Sequence, residues 1–172
     1  LDAGAGRLAS WLLEQAGGPG ERVASWTAKT RLACLMPLAA ARAGLVHVPV
    51  NPVLKRAQVA HILADSGASL LVTQPARSMT LESSDLPDAC RIAGDDEAVL
   101  DGPGLPVSDA DPRALAAILY TSGSTGRPKG VMLSHANMWL GAISVAHYLK
   151  ITPEDRDLGV LPLRFHYGEN QL

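Results

Sequence analysis

The chain has 172 residues, 47% of them hydrophobic and 19% charged, with a formal net charge of -2 at pH 7. It is long and apolar enough for one domain with a core, and too apolar for a disordered chain. Its basic residues are scattered rather than clustered, so neither nucleic acid nor an anionic membrane is an expected partner.

The opening LDAGAGRLASWLLEQAGG sets Leu8, Trp11, Leu12 and Leu13 at roughly helical spacing and interrupts the apolar patch with Arg7 and Glu14. This predicts an amphipathic helix, not a signal peptide, stopped by Gly17-Gly18-Pro19-Gly20. RVASW (22–26) reads as a first strand. The Ala- and Leu-rich run 31–43, followed by Gly44, predicts a buried helix with a glycine stop. Residues 46–50 are a second strand. Val59, Ile62 and Leu63 stand at i, i+3 and i+4 in RAQVAHILADSG, an apolar stripe on a helix ending at Gly67, and 70–72 is a third strand. Strands and helices alternating over short connections predict right-handed βαβ units. The expected fold class is therefore α/β, a mostly parallel sheet flanked by helices.

From 74 to 113 the pattern breaks into short pieces rich in proline (Pro75, Pro87, Pro103, Pro106, Pro112) and acidic residues, as expected of an irregular surface excursion. A strand returns at 116–120, a second apolar run follows at 131–133, and both are expected to be buried. Ser134 is placed to cap a helix over 135–149, and 158–163 is a last strand. No apolar run approaches a membrane span. Cys34 and Cys90 lie far apart with no Cys or His at metal-ligand spacing, so they read as two buried, reduced thiols of a cytoplasmic protein. The chain starts at Leu1 rather than Met and stops within GENQL, which leads us to expect a piece of a longer polypeptide.

Between the two late strands lies YTSGSTGRPKGV (120–131), seven of whose twelve residues are Gly, Ser or Thr. Gly123, Gly126 and Gly130 are expected to free the backbone for positive φ and for close approach to a ligand. Inward-turned amides in such a loop form an anion nest. Thr121, Ser122, Ser124 and Thr125 add hydroxyls, and Lys129 adds a mobile point charge in a chain where only four of fifteen basic residues are Lys. This set suits a polyphosphate. A Walker A loop is excluded by spacing and context: five positions after Gly123 comes Pro128, and Lys129 leads into Gly130 and a strand, not a helix.

YTSGSTGRPKGVMLSH resembles the phosphate-binding signature of the AMP-forming adenylating superfamily, which includes acyl-CoA and aryl-CoA synthetases, peptide-synthetase adenylation domains and luciferases. GERVASW, ARAGLVHVPVNPVLKRAQVAHILADSGASLLVT and LPLRFHYGENQL resemble further segments of that family in the same order. The likeness runs from about residue 20 to 172 and is weakest in the proline-rich middle. It implies a partial N-terminal domain over 1–172 that uses ATP and Mg2+ to activate a small-molecule carboxylic acid as an acyl-adenylate. A thiol, that of CoA as co-substrate, then captures the acyl group. The VPVNP stretch favours the acyl-CoA ligases within the family.

The resemblance assigns the β- and γ-phosphates to Thr121, Ser122, Gly123, Ser124, Thr125, Gly126 and Lys129, with Lys129 catalytic through charge neutralisation rather than proton transfer. Thr121 is either a magnesium ligand or a residue that only closes the strand. Peptide-synthetase domains usually carry an aspartate after the residue matching Phe165; here it is His166, either part of the acyl pocket or a packing residue. An amino-acid substrate would lack its counter-ion, which favours a fatty or aryl acid. Arg164 and Glu169 depart from the family pattern and leave the acid's identity open. His47 reads as a strand-edge residue, His61 as a helix-face residue, His135 as structural, and Trp11, Trp26 and Trp139 as packing. The chain by itself is expected to be inactive. The alternatives are a P-loop NTPase, an amino-acid adenylation domain and a non-catalytic nucleotide- or acyl-binding relative.

Overall fold

In a computed structural model, residues 1–122 and 127–156 are described. In chain order they form helix α1 (Asp2–Ala16), strand β1 (Arg22–Trp26), α2 (Arg31–Arg42), β2 (Val46–Pro49), α3 (Arg56–Ser66) and β3 (Leu70–Thr73). The short α4 (Pro75–Ser78), β4 (Arg91–Ala93), β5 (Leu115–Ser122), β6 (Pro128–Ser134) and α5 (His135–Leu149) follow. One six-stranded sheet has the order β4-β3-β1-β2-β5-β6; its first five strands are parallel and β6 runs antiparallel to β5.

Strands β2 and β3 are buried along their whole length, which explains their largely apolar sequences: both faces of a parallel sheet are covered by helices, and the polar Thr73 is hydrogen-bonded inside. On one face Val23, Leu70 and Val72 pack with Leu8 and Leu12 of α1 and Leu32, Leu35 and Met36 of α2. On the other, Ala24, Trp26, Val46, Val48, Leu71 and Ile118 meet Val59, Ile62 and Leu63 of α3. Each large side chain so buried contributes roughly 1.5–3 kcal/mol. Helix boundaries follow local chemistry. Thr30 Oγ1 accepts a hydrogen bond from the Ala33 amide at the start of α2 (3.2 Å), and α3 ends at Gly67 with φ 63°, a left-handed conformation that suits glycine.

The sequence expectations for β1, α3 and α5 agree with the structure to within a residue. Others need correction. The 74–113 stretch is not wholly an excursion: Arg91, Ile92 and Ala93 pair with Leu70, Leu71 and Val72 as a fourth parallel strand, and Leu100, from a 3-10 turn over Glu97–Asp101, is buried beneath α1. His47 is no strand-edge residue but is buried in an interior strand, its Nε2 2.9 Å from Ser25 Oγ. Both thiols are free but only half-buried. The two strands beside the glycine-rich stretch are not both buried, for β6 is an edge strand exposed through its middle. The strand expected at 158–163 lies outside the described residues. Among the described residues no helix is long and apolar enough to cross a membrane.

Candidate functional site

Strand β5 runs parallel to β1 and β2 and ends at Thr121 and Ser122, so the Gly/Ser/Thr stretch begins at the carboxyl edge of the parallel strands. Open α/β sheets bind their ligands at that edge. The chain returns as β6, whose first residues are Pro128, Lys129 and Gly130. From the sequence these three are expected in the loop; the structure places them in the strand. Pro128 has no N-H to give to a ladder, and the first position of an edge strand is where proline is tolerated.

The hairpin register sets Thr121 opposite Lys129, Ser122 opposite Pro128 and Tyr120 opposite Gly130. Opposed residues project from the same face of a sheet. The Thr121 hydroxyl and the Lys129 ammonium therefore share one face and Tyr120 takes the other. Both Thr121 and Lys129 are exposed, and Lys129 forms no ion pair with another described residue. Two strands thus present a neutral oxygen and a cation with no ion-pair partner among the described residues, side by side where the chain enters and leaves residues 123–126. Positions 123–126, and His166, Arg164 and Glu169, lie outside the described residues, as does the side chain of Ser122.

The opposite face of the hairpin is tied to α3. His61 Nε2 lies 3.1 Å from the Pro128 carbonyl oxygen, and since a carbonyl only accepts, this nitrogen carries the proton. One turn further along, Asp65 Oδ2 accepts from the Tyr120 hydroxyl at 2.6 Å. Burial, and after it the hydrogen bond and charge of Asp65, push the phenol above its ordinary range, so it keeps its proton and donates. Gly130 does not take the positive φ expected of it. A Cβ there would lie 2.7 Å from Ile118 Cγ2 and 3.2 Å from Tyr120 Cζ, so the position is glycine because the tyrosine ring crosses it. Sequence reasoning missed Asp65 and Tyr120 and gave His61 no partner. Their only signals are the i, i+4 spacing of His61 and Asp65 and an aromatic facing a glycine across a hairpin.

The His135 amide donates to the Ala114 carbonyl (3.1 Å), and its residue lines an apolar cavity of about 630 Å³ with Leu38, Arg42, Val107 and Trp139. Trp26 is buried, with Arg77 5.2 Å above its ring and its indole N-H without a partner among the described residues. Burial pushes the Cys90 thiol up to about 11, so it is no thiolate nucleophile at neutral pH. Among the described residues no cluster of three or more His, Cys, Asp or Glu could hold a metal.

A family profile described as AMP-binding enzyme matches residues 1–171. The feruloyl-CoA synthase of an Amycolatopsis species is 39% identical over 163 residues, which make up 93% of this chain and 32% of the relative. Tyrocidine synthase 2 of Brevibacillus parabrevis is 34% identical over 164 residues, 91% of this chain and 4% of the relative. The chain thus spans about a third or less of the length of these relatives. Among solved structures, ATP-bound MatB from Rhodopseudomonas palustris superposes with a TM-score of 0.83 at 30% identity, covering 96% of this chain and 35% of MatB. The O-succinylbenzoate coenzyme A synthetase MenE from Bacillus subtilis, in complex with AMP, gives 0.83 at 26%, covering 98% and 44%. The profile, the sheet with its antiparallel final hairpin and the YTSGSTGRPKGV stretch agree, and the chain belongs to the AMP-binding enzymes, the AMP-forming adenylating superfamily.

Proposed function

We propose that this chain carries the triphosphate-binding part of an ATP-dependent, AMP-forming acid-thiol ligase. The observation that carries the reading is the cross-strand pair Thr121–Lys129, both exposed, at the carboxyl edge of a parallel sheet and at the two ends of SGSTGRP. The reaction begins when a carboxylate oxygen attacks the α-phosphorus of ATP. The bond from that phosphorus to its bridging oxygen breaks, and pyrophosphate leaves with the electron pair. A thiol sulfur, that of CoA, then attacks the acyl carbon and AMP departs. Lys129 neutralises charge gathering on the leaving pyrophosphate, which is where a fixed cation lowers a barrier most. The hydroxyls and amides from Thr121 to Gly126 orient the β- and γ-phosphates.

Mg2+ would be held here by Thr121, which offers one hard oxygen, together with phosphate oxygens of the nucleotide. When bound, the ion supplies further charge neutralisation on the polyphosphate.

The likeness to feruloyl-CoA synthase and the histidine at position 166 support a simple carboxylic acid as substrate. Amino-acid adenylation is the second reading, favoured by the peptide-synthetase relatives. The test is exchange of labelled pyrophosphate into ATP by the full-length polypeptide. Exchange that depends on a fatty or aryl acid supports the first reading, and exchange that depends on an amino acid supports the second. Release of ADP in place of AMP would overturn both. The 172-residue chain alone is proposed to bind ATP without forming adenylate, since it spans only about a third of its CoA-ligase relative.

A further inference from the structure

Hairpins that end a sheet are free to twist, yet a phosphate grip needs its donors held to a fraction of an ångström. In this chain the grip stands on an edge strand, β6, whose middle is exposed and which has a neighbour on one side only. Helix α3 supplies what the sheet does not. His61 and Asp65 are one turn apart on it, and they take opposite legs of the hairpin: His61 holds the Pro128 carbonyl on β6, and Asp65 holds the Tyr120 hydroxyl on β5. Pro128 immediately precedes Lys129, and Tyr120 immediately precedes Thr121. Each attachment is therefore one residue from a group on the phosphate-facing side.

The third part of the device is Gly130. It faces Tyr120 across the ladder, and any side chain there would collide with Ile118 and with the tyrosine ring. The bare backbone lets the ring lie across β6 on its way to Asp65, so that β5, β6 and α3 meet at one aromatic side chain.

We propose that His61, Asp65 and Tyr120 are positioning residues for the phosphate grip: one turn of α3 clamps both legs of the hairpin and thereby sets how Thr121 and Lys129 face each other. This rests on the reading of that pair as phosphate-binding. Their role runs through the backbone beside Thr121 and Lys129, not through a bond to the nucleotide of their own.

Four variants test the clamp in the full-length polypeptide. Tyr120→Phe keeps the ring over Gly130 and deletes the bond to Asp65 together with the hydroxyl's contact to Ser66, and Asp65→Ala deletes the Asp65 bond from the other side. Asp65→Asn keeps an oxygen that can accept it, and His61→Ala releases the other leg. The first two are expected to lower the turnover of acid-dependent pyrophosphate exchange by about ten- to a hundredfold, with the KM for the acid unchanged. The Tyr120→Phe/Asp65→Ala double variant should be no worse than Tyr120→Phe alone, because both substitutions remove the Tyr120–Asp65 bond. Asp65→Asn should recover most of the loss, and His61→Ala should compound with Tyr120→Phe. A lowered melting temperature with wild-type turnover in all variants would make these contacts merely structural and overturn the proposal.

Should the wild type itself show no acid-dependent exchange, the functional reading falls while the clamp is still decided. Amide hydrogen exchange at Thr121, Lys129 and Val131 of the 172-residue chain is expected to quicken in Tyr120→Phe and His61→Ala, with Val23 and Leu71 unaffected. Unaltered protection at the hairpin would overturn it.

Discussion

Lys129 is an exposed cation on an edge strand with no described ion pair to lose, so its removal separates chemistry from stability. In the full-length polypeptide Lys129→Ala is expected to cut pyrophosphate exchange by about a hundredfold, the scale of one lost charge stabiliser in a transition state. The melting temperature should move by no more than about 2 °C, as for other surface substitutions. Unchanged exchange would remove Lys129 from the mechanism. Gly130, the next residue, should behave in the opposite way. An alanine methyl there meets Ile118 Cγ2 at 2.7 Å, and neither strand can give without opening the hairpin, so Gly130→Ala should destabilise by about 1–3 kcal/mol in urea unfolding. A neutral result would mean that the ring of Tyr120 does not lie across it. Two neighbouring residues of one motif thus serve different ends. The sequence alone grouped Gly130 with the glycines of the loop because nothing local distinguishes a glycine kept for φ from one kept for room.

At the scale of the element, α3 is held at both ends. Its first residue, Arg56, reaches the carboxylates of Asp85 (Nε to Oδ2, 2.6 Å) and Glu82 in the 3-10 turn that begins at Ser83. The Glu82 amide, and then the Arg56 guanidinium, hold the Asp85 carboxyl below its ordinary value of 3.8. A depressed carboxylate stabilises the fold fully above its unfolded value, and that contribution is lost as pH falls through the folded one. The turn over Ser83–Asp85 is therefore expected to loosen in acid, below pH 3.8 and before the core melts, with amide exchange quickening at Asp85 and Leu86. Asp85→Asn should show the loosened state already at neutral pH; a turn equally protected in both would refute the staple.

Helices and strands of this kind were largely legible in the sequence, because β1, β2 and β3 are mostly apolar and α1 to α3 keep their stripe and their glycine stops. Strand β4 was not, since Arg91-Ile92-Ala93 is three residues long on a half-exposed edge and carries no periodicity to read. The phosphate-binding stretch announced itself through composition. Its supports did not, because His61 to Pro128 and Asp65 to Tyr120 are contacts between residues 67 and 55 positions apart.

Across the whole molecule, apolar surface is distributed unevenly. The faces toward α1, α2 and α3 are sealed, whereas α5 has no buried residue and leaves Trp139 69%, Leu140 64% and Tyr148 84% exposed, next to Met132 of β6 at 70%. The helix is well made all the same: Ser134 Oγ accepts from the Asn137 amide and Asn137 Oδ1 accepts from the Ser134 amide, both at 3.2 Å, which fixes its start. Its local signals therefore specify a helix that packs only partly, with no residue fully buried. Water meets a run of large apolar side chains there, more than scattered surface hydrophobics explain. The isolated 172-residue chain should accordingly bind the dye 8-anilinonaphthalene-1-sulfonate in its native state, before any unfolding. Trp139→Glu combined with Leu140→Lys should abolish most of that fluorescence. Because neither side chain is buried, the pair should leave the melting temperature within about 2 °C. Dye binding that survives both substitutions would place the accessible apolar surface away from α5, with exposed Val53 and Met79 as the first side chains to probe. A large drop in stability would instead mean that α5 packs against the domain through these residues.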